Sequence, residues 1–121
     1  MRVLLAEDNQ DNREMLARRL ARRGFIVDVA EDGALAVAAA NNNKPDVVLL
    51  DLAMPVMSGL EAARALRAAP ETADVKIIAL TAQSPSEARQ SCLEAGCDAF
   101  AAKPVDFQAL LETIEALMGE R

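Results

Sequence analysis

The chain has 121 residues, 52% of them hydrophobic, with a formal net charge of −6 and no histidine. That length fits one domain with a two-sided core and no need of disulfides or structural metals, and residues 1–121 are read as one domain. The missing histidine excludes Ser-His-Asp and Cys-His catalysis and histidine metal sites, the acidic balance argues against nucleic acid as a partner, and the lack of a long apolar run or signal peptide leaves no membrane contact and a cytoplasmic location as the expectation.

Val3–Ala6 reads as a first strand and runs directly into Glu7-Asp8. The helical stretch behind it carries Leu16 and Leu20 on a core face, which leaves Met15 exposed beside a row of arginines, Arg13, Arg18, Arg19, Arg22 and Arg23. These arginines read as a solvated face, the late ones complementing the helix dipole. Gly24 supplies the stop, and Ile26–Val29 forms a second strand. A second helix ends at Asn41-Asn42-Asn43-Lys44-Pro45. Val47–Leu50, apolar without alternation, is the pattern of a strand buried on both faces, and Asp51 follows it.

Ser58-Gly59-Leu60-Glu61 reads as a capping box opening a third helix. A fourth strand, Val75–Leu80, ends at Thr81, and Ser84-Pro85-Ser86-Glu87 repeats the capping logic with proline at the first helical position. Gly96 closes that helix. Ala99–Ala102 has low strand propensity but completes the alternation before Lys103-Pro104. Phe107, Leu110, Leu111, Ile114, Leu117 and Met118 fall on one stripe of a last helix. Cys92 and Cys97 are read as small apolar fillers.

Five strand–helix alternations predict an α/β fold, a five-stranded parallel sheet with helices on both faces in the flavodoxin-like order 2-1-3-4-5. Ligands in such folds bind outside the carboxyl ends of the strands. Glu7-Asp8, Asp51, Thr81 and Lys103 all belong to that edge. Two carboxylates about 4 Å apart repel by roughly 4 kcal/mol at an effective dielectric near 20, so clustered acids raise one another's pKa or recruit a cation. Oxygen ligands in an open cleft suit Mg²⁺. An acid-held metal, a lysine and a hydroxyl are the groups that stabilise a transferring phosphoryl group.

With Glu7-Asp8, Asp51-Leu-Ala-Met-Pro-Val-Met-Ser-Gly59, Leu80-Thr81-Ala82 and Lys103-Pro104 in this order, the sequence resembles the receiver domains of two-component response regulators along essentially its whole length. The resemblance implies that Asp51 is the phosphoacceptor. It implies Mg²⁺ (or Mn²⁺) on Asp8, Asp51 and the backbone carbonyl of Ala53, with Glu7 acting through a metal-bound water. Thr81 and Lys103 would meet the phosphoryl oxygens, with the backbone N–H groups of Ala53 and Ala82, and the Lys103–Pro104 peptide would be cis. Thr81 and Phe100 would form the switch, Phe100 by packing alone because it lacks a hydroxyl. The donor would be the phosphohistidine of a histidine kinase or histidine phosphotransfer protein, docked near Met15.

A receiver domain of this kind is a signalling device that catalyses its own phosphorylation and dephosphorylation, acting on an unidentified downstream protein, and it is not a turnover enzyme. Met1 directly before the first strand mildly favours a single-domain regulator over a receiver from a hybrid kinase or a larger regulator. A haloacid-dehalogenase-type hydrolase would need an acid two residues after the nucleophile, where Ala53 stands. A flavin or nucleotide binder would need a Gly-rich or Ser/Thr-rich loop after the first strand, where Glu7-Asp8 would repel phosphate.

Overall fold

The computed structural model describes residues 1–119. Five strands and five helices alternate: β1 Arg2–Ala6, α1 Gln10–Arg22, β2 Ile26–Ala30, α2 Gly33–Asn42, β3 Val47–Asp51, α3 Gly59–Ala68, β4 Lys76–Thr81, α4 Pro85–Ala95, β5 Ala99–Ala102 and α5 Phe107–Gly119. The sheet is parallel throughout, in the order β2-β1-β3-β4-β5. Both are as the sequence predicts.

The period of two along each strand divides the core. Val3 and Leu5 of β1, Val47 and Leu49 of β3, and Ile78 and Leu80 of β4 face α1 and α5, where Leu16, Leu20, Leu110 and Ile114 meet them. Leu4, Ala6, Val48, Leu50 and Ile77 face the opposite way, against Ala36 and Ala40 of α2 and Ala62, Ala63 and Leu66 of α3. Each fully buried Leu or Ile contributes roughly 1.5–3 kcal/mol relative to exposure. All five residues of β3 are buried, whereas edge strand β2 leaves Ile26 and Val29 exposed.

Both predicted capping boxes are present, Ser58 with Glu61 and Ser84 with Glu87, and Pro85 occupies the first turn of α4. Gly24 and Gly96 take positive φ, as helix stops do. Three strand boundaries differ in a way that matters. Val75 lies outside β4, because its N–H donates to the Thr72 carbonyl at 3.2 Å and closes a turn instead of joining the ladder. Asp51 and Thr81 lie inside their strands, not after them, with Asp51 in register with Leu80. The central carboxylate is therefore carried on paired backbone. The loop that follows stores strain: Val56, a β-branched residue, sits at φ 68° with its side chain in solvent.

Candidate functional site

The carboxyl edges of β1, β3, β4 and β5 bring the predicted residues together. Asp51, 2% exposed, accepts hydrogen bonds on both carboxylate oxygens: Oδ1 from the Ala53 N–H at 3.0 Å and Oδ2 from Lys103 Nζ at 2.8 Å. The same ammonium lies 3.3 Å from Glu7 Oε1. Lys103 is held in turn by its N–H, which donates to the Thr81 carbonyl at 2.8 Å, extending the β4–β5 ladder past Ala102. The Lys103–Pro104 peptide is cis, as expected.

Glu7 follows β1 directly and is 1% exposed, while Asp8 faces solvent. One carboxylate oxygen from each of Glu7, Asp8 and Asp51 lies within 4.8 Å of the others. Three hard oxygen donors at that spacing are what Mg²⁺ or Mn²⁺ accepts, and nothing in the set favours a soft metal.

The acids do not titrate alike. Burial pushes the Glu7 carboxyl up, and its hydrogen bond to the Asp51 carboxylate and the charge there push it further, to about 7. Burial also acts to raise Asp51, but the hydrogen bonds from Glu7, Lys103 and the Ala53 N–H prevail and hold it below the ordinary carboxylate value. Burial acts to lower Lys103, and the Asp51 and Glu7 carboxylates outweigh it, so the ammonium is stabilised. Below about pH 7 the proton of the acid pair therefore resides on Glu7 and not on Asp51.

This has a measurable consequence. A carboxyl whose folded pKa is raised contributes stability below its unfolded value and loses it as pH rises through the folded one. In EDTA, stability is expected to fall between pH 5.5 and 8 through Glu7, and urea titrations should show that slope flattened in Glu7→Gln. Asp51, lowered, titrates below this window and Lys103, raised, above it.

Thr81 is buried at 4% exposure, and its hydroxyl accepts the Gln83 N–H at 3.0 Å. A cleft of about 280 Å³ opens over Asp51, lined also by Ala53, Leu60, Thr81, Gln83 and Lys103. A second, of about 150 Å³, joins Glu7 and Lys103 to Met15, which is 37% exposed on α1. Phe100, on β5, is half-buried beside Ala101 and Ala102 and lies outside the cleft over Asp51. The larger cleft at the opposite sheet edge, about 440 Å³, is lined by Lys44, Asp46, Asp74 and Lys76, and Lys44 and Asp74 neutralise each other at 2.8 Å. Charge convergence, not size, distinguishes the site at Asp51.

The arginine row of α1 is not uniformly solvated. Arg13 Nη1 donates to the Glu7 carbonyl at 3.0 Å and the Asp8 carbonyl at 3.4 Å, which clamps the loop carrying both acids. Arg19 lies over the Phe107 ring, 5.6 Å from its centroid. Arg18, Arg22 and Arg23 are exposed, as read from the sequence. No sequence signal separates Arg13 from its neighbours, because its hydrogen-bond partners are backbone carbonyls.

The family model of the response regulator receiver domain matches residues 3–115. The chain belongs to the receiver domain family. Its relatives include the response regulator MprA of Mycobacterium sp. (strain KMS), 38% identical over 118 residues, which are 98% of this chain and 50% of MprA. The chain spans about half the length of the curated relatives it matches. Among solved structures, it is similar to the receiver domain of sensor histidine kinase PA1611 from Pseudomonas aeruginosa PAO1, which has a magnesium ion coordinated in its active-site cleft. The TM-score is 0.89 at 35% identity, covering 98% of this chain and 97% of that one. It is also similar to a chain in the co-crystal structure of the Saccharomyces cerevisiae histidine phosphotransfer signaling protein Ypd1 and the receiver domain of its downstream response regulator Ssk1. There the TM-score is 0.87 at 30% identity, over 95% of this chain and 86% of the other. A receiver domain of two-component phosphorelay signalling is therefore what this fold carries, and no helix among the described residues is long and apolar enough to cross a membrane.

Proposed function

We propose that residues 1–121 act as one phosphoacceptor unit in which Asp51 takes a phosphoryl group from a phosphohistidine of a histidine kinase or histidine phosphotransfer protein. The observation that carries this reading is the state of Asp51. It is buried, held below the ordinary carboxylate pKa by its hydrogen-bond donors, and met at 2.8 Å by an ammonium, beside two more acids. An Asp51 carboxylate oxygen forms the new O–P bond as the N–P bond of the donor breaks, and the imidazole leaves with the electron pair.

Asp8, Asp51 and the Ala53 backbone carbonyl would hold Mg²⁺ or Mn²⁺, with Glu7 beside them. Such an ion supplies positive charge against the equatorial phosphoryl oxygens and the acid cluster. Lys103 supplies a second positive charge from the chain itself. The Ala53 N–H already points at Asp51 Oδ1, and with the Ala82 N–H it completes a donor cradle. Thr81 exchanges its hydrogen bond with the Gln83 N–H for one to the phosphoryl group, and Phe100 repacks into the space that movement frees, a shift between two states that alters a protein-binding surface. Met15 provides an exposed apolar contact for the donor at the rim of the acid cluster. The net charge of −6 supports protein partners over nucleic acid for this stretch of chain.

Ala53 argues for signalling over turnover, since it leaves no side-chain acid or base two residues after Asp51. The experiment is incubation with acetyl phosphate and Mg²⁺, followed by intact-mass measurement. One phosphoryl group is expected on the wild type, none in EDTA and none on Asp51→Asn. Uptake by Asp51→Asn equal to wild type, or no uptake by either, would falsify the proposal.

A further inference from the structure

The cleft over Asp51 is connected to α4 through Gln83. Gln83 lines the cleft over Asp51, and its N–H donates to the Thr81 hydroxyl at 3.0 Å. Its own carbonyl Oε1 is taken up elsewhere: the Ser91 hydroxyl donates to it at 3.1 Å. Ser91 lies on the buried face of α4, 9% exposed, and does not line the cleft. The carbonyl end of the Gln83 carboxamide is therefore drawn out of the cleft toward the helix.

That placement matters for the fate of a phosphoryl group on Asp51, and the inference rests on the function proposed above. Loss of the group is hydrolysis: water attacks phosphorus in line and its oxygen forms the new O–P bond. The bond to Asp51 breaks, its electron pair returns to the carboxylate, and one water proton is released to solvent. The attacking water needs an acceptor to orient it. Of the polar side chains lining the cleft, Asp51 carries the phosphoryl group, and Lys103 and Thr81 are committed to its oxygens. Ala53 offers no side-chain acceptor. Gln83 is the side chain left to do it, and Ser91 holds its oxygen.

We infer that Ser91 is a positioning residue that prolongs the aspartyl phosphate by tethering the Gln83 carbonyl to α4, away from the hydrolytic water. The tether also makes phosphoryl lifetime depend on the seating of α4, so a partner that lifts this helix shortens the signal.

The test is the decay of the acyl phosphate, read by intact mass after removal of acetyl phosphate, in five proteins. Ser91→Ala is expected to decay about three- to tenfold faster than wild type, the rate equivalent of one neutral hydrogen bond. Gln83→Ala is expected to decay no faster than wild type, and the double variant to match Gln83→Ala. A packing effect of Ser91 alone would persist in the Gln83→Ala background. Ser91→Cys, near-isosteric with a weaker donor, should fall between wild type and Ser91→Ala and serves if Ser91→Ala does not fold. Decay of Ser91→Ala (or of Ser91→Cys in its place) that is unchanged, slower, or accelerated equally without Gln83 overturns the inference while the wild type is still phosphorylated. A wild type that takes up no phosphoryl group overturns the underlying function instead, and the inference with it.

Discussion

Replacing Lys103 with methionine is expected to slow phosphoryl uptake by at least about 100-fold, the scale of losing one preorganised donor to a developing anion. The substitution keeps most of the aliphatic stem and removes only the ammonium. That ammonium bridges Asp51 Oδ2 at 2.8 Å and Glu7 Oε1 at 3.3 Å. Without it, incoming phosphoryl oxygens meet two acids and no fixed cation from the chain. The fold should weaken as well, by about 1–3 kcal/mol, the usual cost of removing a hydrogen bond to a charged group. The loss should be larger at pH 8 than at pH 5.5, because the acid pair relieves its repulsion by keeping the proton that Glu7 already binds up to about pH 7. Time courses with saturating acetyl phosphate and urea titrations at the two pH values check both parts. Uptake within threefold of wild type would contradict the assigned role.

Gly59→Ala is expected to destabilise the fold by about 3 kcal/mol or more. Gly59 opens α3, and its N–H donates to the Leu52 carbonyl at 3.2 Å. A Cβ there would fall on the backbone carbonyl oxygen of Asp51 and within 2.7 Å of the Leu52 Cα. Neither is a flexible side-chain end, so relief requires α3 to back away from β3 or the end of β3 to twist. Either movement displaces the Asp51 carboxylate from Lys103, so uptake of phosphoryl groups should fall together with stability. Gly119→Ala is the control: nothing lies within 4 Å of its Cβ position, and alanine favours the helix. A urea midpoint for Gly59→Ala equal to that of wild type would contradict the close approach of Gly59 to the end of β3.

The fold was legible because its signals are local. Val47–Leu50 needs no partner to read as a doubly buried strand, and each capping box is complete within four residues. The site was legible because strand ends in such a sheet share one edge, so Glu7, Asp51 and Lys103 could be grouped before any distance was known. What stayed hidden depends on long-range backbone partners. Arg67 donates to the carbonyls of Ala73 and Gly96 and pairs with Asp98 at 2.7 Å, which ties α3 to the starts of β4 and β5. Arg13 clamps the acid loop in the same manner. A charge on a helix face carries no mark of which carbonyl it will find. The link from Ser91 to Gln83 was hidden for another reason, since both residues are ordinary in their positions and only the turn between β4 and α4 brings them within 3.1 Å. The difference between Glu7 and Asp8, adjacent acids of which one is buried with its pKa pushed up to about 7 and the other exposed, follows from how the chain leaves β1 and from nothing in their composition.

The central claim is that one carboxylate, Asp51, forms the bond to phosphorus. Borohydride reduction tests it directly, because it converts an aspartyl phosphate to homoserine and leaves free carboxylates intact. After incubation with acetyl phosphate and Mg²⁺, reduction and peptide mass analysis, homoserine is expected at position 51 and at no other acid. Homoserine at position 8 or elsewhere with Asp51 unmodified, or its absence from a protein that has gained a phosphoryl group, would contradict the account.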